Sequence, residues 1–325
     1  MAELLADDSA RTSCGGETVA EAAMWALARM NDPRCVPGLV ELLAGEPSGF
    51  TSAHLHHPAV DWHTAVLPAL DEVLHNLVEH AEALMPAICI RLTTARDHLL
   101  TRLCKLLADW GPFAAAAVPQ LLHLLEDDQT WQAAATALAG IGEAGSEARE
   151  LLMARARTGG SRQDLAAWAS WKVGGDPEPA LEVLGPAVTE GFCRPAMAML
   201  ADFGPYAAPH ADRLLTLIAD EDPWTSITAA HALWAATGDT TNTVPALTTV
   251  VRDLAQGVYR PVMLPAVRHL VRIGGTASQP TASILRGVPA LDQRLRTNGG
   301  WRGFTQDEEI RAAVNKLLTA LDRPV

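Results

Sequence analysis

Several kinds of residue and segment are scarce in this 325-residue chain, and each shortage excludes a class of structure. Aromatic residues make up only 5% of the chain, whereas alanine and leucine are prominent, which favours close-packed helices over a sheet. No apolar run approaches the roughly 18 residues of a membrane-spanning helix. The first residues also lack the basic and apolar regions of a secretory signal. We therefore expect a cytoplasmic protein without a membrane partner.

Cysteine chemistry and the common catalytic signatures are poorly represented. Five cysteines are odd in number, dispersed and without CxxC spacing: Cys14, Cys35, Cys89, Cys104 and Cys193. This usage is typical of idle thiols in a reducing compartment. Ser-His-Asp and Cys-His nucleophile signatures are absent, as are the P-loop and GxGxxG motifs that bind phosphates. The sequence predicts a protein that is not an enzyme and holds no cofactor.

Negative charge predominates, but it is unevenly distributed. The net charge of −13 divides into −18 over residues 1–248, +6 over residues 249–302 and −1 over residues 303–325. Phosphate contacts need a positive face, so a mostly acidic chain is a poor general ligand for nucleic acid. We expect nucleic acid not to be the partner, with the basic segment 249–302 as the exception.

What the chain does contain is a repeated pair of amphipathic helices. In VPQLLHLLEDDQTWQAAATALAGIG, residues 118–142, one helical stripe is formed by Val118, Leu121, Leu122 and Leu125. The acidic residues 126–128 end this helix and are expected to cap the next one. The second helix has its own stripe and ends at Gly142. Because neither helix could bury its stripe alone, such a hairpin needs neighbours.

The same pattern recurs along the chain. A glycine ends each first helix at Gly111, Gly142, Gly174, Gly204, Gly238 and Gly274. A proline recurs near the start of the following helix, at Pro37, Pro86, Pro119, Pro179, Pro209, Pro245 and Pro280. Two independent markers with one period predict an array of hairpins. We place the hairpins at about 17–45, 61–95, 97–127, 128–157, 161–191, 192–220, 222–257 and 260–288.

These residues resemble the HEAT-repeat superfamily, particularly its short, alanine-rich bacterial type, often called PBS-lyase HEAT-like. The matching pattern is an acidic turn, an AAxAL helix, a GD- or GE-like break and a VPxL helix, as at 127–145 and 220–247. The family usually has Val-Arg before its AA pair, whereas only Arg194 stands at the equivalent place, and Gln132 and Thr228 replace it elsewhere. The resemblance implies an all-α fold: an α-solenoid of about eight HEAT-like hairpins wound as a right-handed superhelix.

The domain prediction follows from this pattern. Residues 1–16 are expected to be a flexible N-terminus, and residues 17–325 a single solenoid domain. The domain includes the basic part 249–302 and ends in a closing helix over 306–321. Two segments break the period, at 45–61 and 286–304, and we interpret both as long loops. Long loops on a rigid scaffold are where function tends to lie.

The first long loop and the residues just after it supply the metal candidates, His54, His56, His57 and His63. Their spacing fits no established closed site, so solvent-exposed histidines are the alternative. On the following helix, Glu72, His75 and Glu79 share one face, but no second Glu-x-x-His completes a carboxylate di-iron site. A metal-binding protein or metal-dependent enzyme using residues 54–63 stays as one hypothesis.

The second long loop and the helix before it supply candidates for binding an anion or an acidic partner: Arg268, Arg272, Arg294, Arg296, Trp301 and Arg302. Arg268 and Arg272 are four apart and share a helix face. Arginine forks suit carboxylate and phosphate groups. The alternative is that these arginines pair with the acidic remainder of the chain.

The leading functional hypothesis is a non-catalytic scaffold that binds another protein. The concave face, formed by the VPxL helices, and the arginine-rich edge would make the contacts. A third hypothesis is nucleic-acid processing in the manner of the HEAT-like DNA glycosylases. Most of the nine tryptophans lie within apolar helical stripes, which favours core packing over lesion binding. The sequence leaves the partner and the oligomeric state open.

Overall fold

The computed structural model describes residues 1–9, 18–45, 50, 67–189, 194–274, 279–295 and 301–321, without the side chains of residues 97, 302 and 321. Regular structure in these ranges is α-helix and 3-10 helix. The α-helices are α1 (Val19–Arg29), α2 (Val36–Ala44), α3 (Leu70–Leu74), α4 (Ala81–Thr94), α5 (Asp97–Trp110), α6 (Val118–Glu126), α7 (Trp131–Ile141), α8 (Arg149–Arg157), α9 (Gln163–Lys172), α10 (Pro177–Thr189), α11 (Arg194–Asp202), α12 (Ala211–Ile218), α13 (Pro223–Thr237), α14 (Thr240–Val251), α15 (Met263–Ile273), α16 (Gln279–Leu285) and α17 (Trp301–Leu321).

Helices α1 to α16 follow the eight predicted hairpin segments two by two, so the all-α array of hairpins is confirmed. The central hairpin, α6 and α7, shows how the sequence pattern produces these helices. Helix α6 buries Val118, Leu121 and Leu125 of the predicted stripe and half-buries Leu122, and Pro119 lies in its first turn. Helix α7 ends at Gly142, whose φ of 79° lies in the left-handed region that favours glycine. Apolar periodicity and glycine breaks therefore determine the element pattern.

The acidic turn of this hairpin differs from the prediction that it caps the second helix. The N-cap of α7 is Thr130, whose side chain accepts no capping hydrogen bond. Asp127 instead accepts a hydrogen bond from the Gln129 backbone N–H at 2.6 Å, which closes the turn before the helix. True carboxylate caps occur further on. Asp222 accepts from the N–H of Thr225 at 3.0 Å, and Asp239 accepts from that of Thr241 at 2.8 Å.

The chain divides into two compact units, Met1–Asp176 and Pro177–Val325. In the first unit, helices α1, α3, α5, α7 and α9 pack side by side in one layer, and α2, α4 and α6 pack in a second layer. A 3-10 helix at Ala2–Ala6 contacts α1, within the segment predicted to be flexible. The single solenoid domain over 17–325 stays a prediction.

In the second unit, helices α11, α13, α15 and α17 form one layer. Helices α12 and α14 contact each other in the other layer, where α16 contacts the 3-10 helix Arg252–Gln256. The apolar core between α15 and α17 includes Val267, Leu270, Ile310, Val314 and Leu317, all fully buried. Helix α17 therefore occupies the place that the first helix of a further hairpin would take.

Helix α17 is longer than predicted. It begins at Trp301 rather than near residue 306, so residues 301–304 are helical and not part of a loop. Two of its side chains contact the segment that precedes the helix. Asp307 accepts a hydrogen bond from the Leu295 N–H at 2.9 Å, and Arg311, one turn later, pairs with Asp307 at 3.1 Å.

Candidate functional site

The structure places four of the six candidates for the arginine-rich edge. Arg268 and Arg272 lie on α15, Arg294 is exposed shortly before α17, and Trp301 is the half-buried first residue of α17. Arg296 and the side chain of Arg302 lie outside the described residues. Helix α15 packs between α13 and α17, so its two arginines are held on a rigid helical surface.

Arg268 has a carboxylate partner. Its Nη2 lies 3.6 Å from Oε2 of Glu309 on α17, and the two side chains are 57% and 52% exposed. An exposed pair of this kind contributes about 0–1 kcal/mol to stability. The sequence left open the alternative that the arginines pair with acidic residues. Arg268 does so, but its pair with Glu309 is weak.

Arg272 has a different partner. Its Nη1 lies 3.2 Å from Nε2 of His231 on α13. A guanidinium can only donate, so Nε2 of His231 accepts and the imidazole proton is assigned to Nδ1. Among the described residues, no carboxylate lies within ion-pair distance of Arg272, and its side chain is exposed. The guanidinium is thus positioned by an uncharged acceptor and keeps its full positive charge.

His231 belongs to an aromatic stack. Its ring centroid lies 4.0 Å from that of His269 on α15, with an angle of 20° between the planes, and 6.0 Å from that of Trp234. Burial lowers the pKa of His231 to about 4, with the Arg272 charge acting in the same direction and Asp202 opposing it. Burial, then His231 and Arg272, lower the pKa of His269 to about 3. Both imidazoles are therefore neutral at pH 7.

Sequence reasoning missed this histidine pair. Neither His231 nor His269 was singled out, because each lies inside an apolar helix where a histidine is unremarkable. The available signal was weak: a histidine on each of two consecutive first helices, with Arg272 three residues after the second. The contact joins residues 41 positions apart, which helical periodicity alone does not reveal.

Arg311 fixes the segment between α16 and α17. Its guanidinium donates to the carbonyl oxygens of Val288 and Pro289 at 3.1 Å and of Gln293 at 2.8 Å. Part of the predicted long loop at 286–304 is therefore held against α17, next to the exposed Arg294. Arg311 is a structural residue of this region that the sequence analysis did not identify.

The arginines and the VPxL helices belong to different layers of the second unit. Arg268 and Arg272 lie on α15, in the layer of first helices, whereas the Val-Pro-Ala-Leu helix is α14, in the other layer. The two surfaces suggested as partner-binding are thus carried by different helix layers, and the candidate site is the α13–α15–α17 layer.

Arginines contact the turns between helices, but only Arg194 stands where the HEAT-like pattern usually has an arginine, before the AA pair. Arg194, which is at that position, lies 3.4 Å from Asp222. Arg155 on α8 instead reaches the turn after α6 from the second helix of the next hairpin. It contacts Asp128 at 3.0 Å and the Leu125 carbonyl oxygen at 3.1 Å, and it lies 5.1 Å from the Trp131 ring centroid.

The metal candidates from the sequence form two groups, one outside the described residues and one on described helices. His54, His56, His57 and His63 lie outside the described residues, so the metal hypothesis stays untested. Within the described ranges, no three His, Cys, Asp or Glu side chains converge as metal ligands. Glu72 and Glu79 are engaged elsewhere: Glu72 approaches Arg102 at 3.4 Å, and Glu79 accepts from the Asn31 side chain at 2.6 Å.

Comparison with known proteins agrees with the hairpin architecture. A family model described as PBS lyase HEAT-like repeat matches residues 19–45, which span α1 and α2. Helix α1 begins there with a capping box, in which the Thr18 side chain accepts from the Glu21 N–H at 3.1 Å. No curated protein matches the chain. In the described part of the chain, no helix has both the length and the apolar character needed to span a membrane. The match over residues 19–45 supports the resemblance to the HEAT-repeat superfamily, and the helical hairpins confirm the all-α class.

Proposed function

We propose that this protein is a non-catalytic interaction scaffold whose α13–α15–α17 layer binds an acidic segment of another protein. The observation that carries this proposal is the Arg272 guanidinium, which is exposed, fixed by a hydrogen bond to a neutral imidazole and without a carboxylate partner among the described residues. A cation held in this way is ready to pair with an incoming anion.

The surroundings of Arg272 support an acidic partner. Residues 249–302 carry a net charge of +6, so the region attracts anions over a distance of about 8 Å at physiological ionic strength. The exposed Arg268–Glu309 pair is weak, so a partner carboxylate can replace Glu309 at little cost. Helices α13, α15 and α17 share a fully buried core, which keeps the arginines in place before binding.

Affinity capture from the native host's lysate tests the proposal. The wild type is compared with Arg268→Glu/Arg272→Glu and with a control, Arg252→Glu/Arg260→Glu, which changes the net charge equally at two exposed positions of the same unit that lie outside the α13–α15–α17 layer. We expect a protein partner that elutes at high salt, is lost with the first variant and is retained by the control.

The same eluates test the other hypotheses. Equal capture by both variants would contradict the proposed site, because long-range charge would then explain the attraction. Metal or nucleic acid in the eluate without a protein partner would contradict the scaffold function. If metal is bound and is lost on substitution of His54 and His56, the metal-binding hypothesis is favoured. If nucleic acid is bound and is lost with Arg268→Glu/Arg272→Glu, the nucleic-acid hypothesis is favoured.

A further inference from the structure

We propose that His231 and His269 are positioning residues that hold the Arg272 guanidinium in one direction without neutralising it, so that Arg272 receives one carboxylate of the partner's acidic segment as a two-point contact. This inference rests on the proposed function and assigns a recognition role to a histidine pair within it. The ligand group is a carboxylate on a protein chain.

The geometry leaves the required donors available. A guanidinium carries five N–H groups in a rigid planar fork, and Arg272 uses one of its Nη1 hydrogens on His231. This hydrogen bond restricts the range of orientations of the guanidinium, while another edge can still donate two parallel hydrogen bonds to a carboxylate. An arginine without such a brace would have to lose side-chain freedom on binding, which weakens association.

The choice of an imidazole as the brace has a consequence for charge. A carboxylate at position 231 would hold the guanidinium equally well but would also neutralise it, as Glu309 does for Arg268. The imidazole accepts a hydrogen bond and contributes no charge. The low pKa values of His231 and His269 agree with this arrangement, because a protonated His231 could not accept from Arg272.

The stack restricts the imidazole itself. The His231 ring stacks on the His269 ring at 4.0 Å and on the Trp234 ring at 6.0 Å, and these contacts restrict the rotation of the imidazole. His269 has a buried Nδ1 without a hydrogen-bond partner among the described atoms. A buried nitrogen without a hydrogen-bond partner lowers stability, so a gain in stability does not explain the histidine at position 269. We attribute His269 to a need for a flat, uncharged ring that stacks on His231. The charged and titratable groups that affect the pair are Asp202 on α11 and Arg272 on α15.

Fluorescence anisotropy with a labelled oligoglutamate peptide at low salt provides the test. His231→Gln retains a neutral acceptor, whereas His231→Asp places a carboxylate against Arg272. We expect His231→Gln to change the affinity by less than about threefold and His231→Asp to weaken it by about tenfold or more. The control Thr249→Asp adds the same negative charge at an exposed position of α14, in the other layer, and we expect the affinity to stay near that of the wild type.

A second variant tests the idea without altering the histidine. Arg272→Lys keeps the positive charge but lacks the planar fork, so it cannot hold His231 and chelate a carboxylate together. We expect Arg272→Lys to bind the peptide more weakly than the wild type, because the two-point contact is lost, and more tightly than Arg272→Gln, because the charge is kept. Thermal unfolding of each variant verifies that it is folded at the temperature of the assay.

The outcomes separate the inference from the proposed function. Equal binding by His231→Gln and His231→Asp, or wild-type binding by Arg272→Lys, would overturn the positioning role, while a loss with Arg272→Gln would leave the acidic-partner site standing. Unchanged binding by Arg272→Gln, or no saturable binding by the wild type, would overturn the proposed site and with it the inference.

Discussion

At the scale of single residues, the histidine pair makes the stability of the second unit depend on pH. His231 and His269 have pKa values of about 4 and about 3 in the folded protein, below the ordinary value of 6.5, mainly because they are buried. Between pH 6.5 and these values the unfolded chain binds more protons than the folded one, so the free energy of unfolding falls as the pH falls. The stabilisation is fully present above pH 6.5.

We predict that the His231→Gln/His269→Gln variant loses less stability on acidification than the wild type. The difference between the two proteins should grow by up to about 6 kcal/mol, about 3 kcal/mol for each histidine, as the pH is lowered from about 7 to about 4. Urea unfolding at a series of pH values measures it. Parallel pH profiles of the two proteins would contradict the assignment of low pKa values to this pair.

Arg155 gives a second prediction at this scale. It joins the turn after α6 through Asp128, two backbone carbonyl oxygens and the Trp131 ring, and its side chain is only 22% exposed. Arg155→Ala should lower the free energy of unfolding by about 1–2 kcal/mol, because the carbonyl oxygens of Leu125 and Glu126 lose a charged donor. Arg157→Ala, two residues later and exposed, is the control and should change stability by less than about 0.5 kcal/mol in a denaturant titration. Equal effects of both variants would argue against the brace.

At the scale of elements, the packing of α5 against α7 depends on a glycine. A Cβ at Gly140 would lie 2.8 Å from the carbonyl carbon of Ala108 and closer still to its Cα and oxygen. These are backbone atoms, so a larger side chain requires the helices to separate. We predict that Gly140→Ala lowers the free energy of unfolding by about 3 kcal/mol. Gly160→Ala, where a Cβ meets nothing within 4 Å, should be nearly neutral by the same measurement.

At the scale of elements, the sequence pattern predicts which residues are helical and buried, but not where each helix ends. Apolar stripes such as Val118, Leu121 and Leu125 determine which residues are helical and buried, because burial follows the helical period. Element ends depend on contacts with other segments. Helix α17 starts at Trp301 rather than near residue 306, and its Asp307 and Arg311 contact the preceding segment, which no local pattern in the sequence predicts.

At the scale of the whole molecule, α17 completes the second unit. It buries Ile310, Val314 and Leu317 against a core shared with α15, including Val267 and Leu270. Removing it would expose that apolar face, which on a repeat protein invites association with another copy. We predict that Val314→Asp/Leu317→Asp causes concentration-dependent association, whereas Asn315→Asp/Lys316→Asp, on the exposed side of the same helix, leaves the oligomeric state of the wild type unchanged.

Light scattering during size-exclusion chromatography measures this outcome. Val314→Asp/Leu317→Asp should also bind more of a dye that reports exposed apolar surface. An unchanged oligomeric state and unchanged dye binding for that variant, with the protein still folded, would show that α17 is not needed to cover the core.

By itself, the sequence determined the all-α class, the eight hairpin segments and the basic character of residues 249–302. These features follow from local periodicity, from glycine and proline positions and from charge counts, all of which are properties of neighbouring residues. Tertiary structure decided which arginine is neutralised. Arg268 and Arg272 look equivalent on one helix face, yet Glu309 pairs with the first and His231 holds the second. Those partners come from helices 41 residues away in each direction, and the charge available for binding depends on the packing that brings them together.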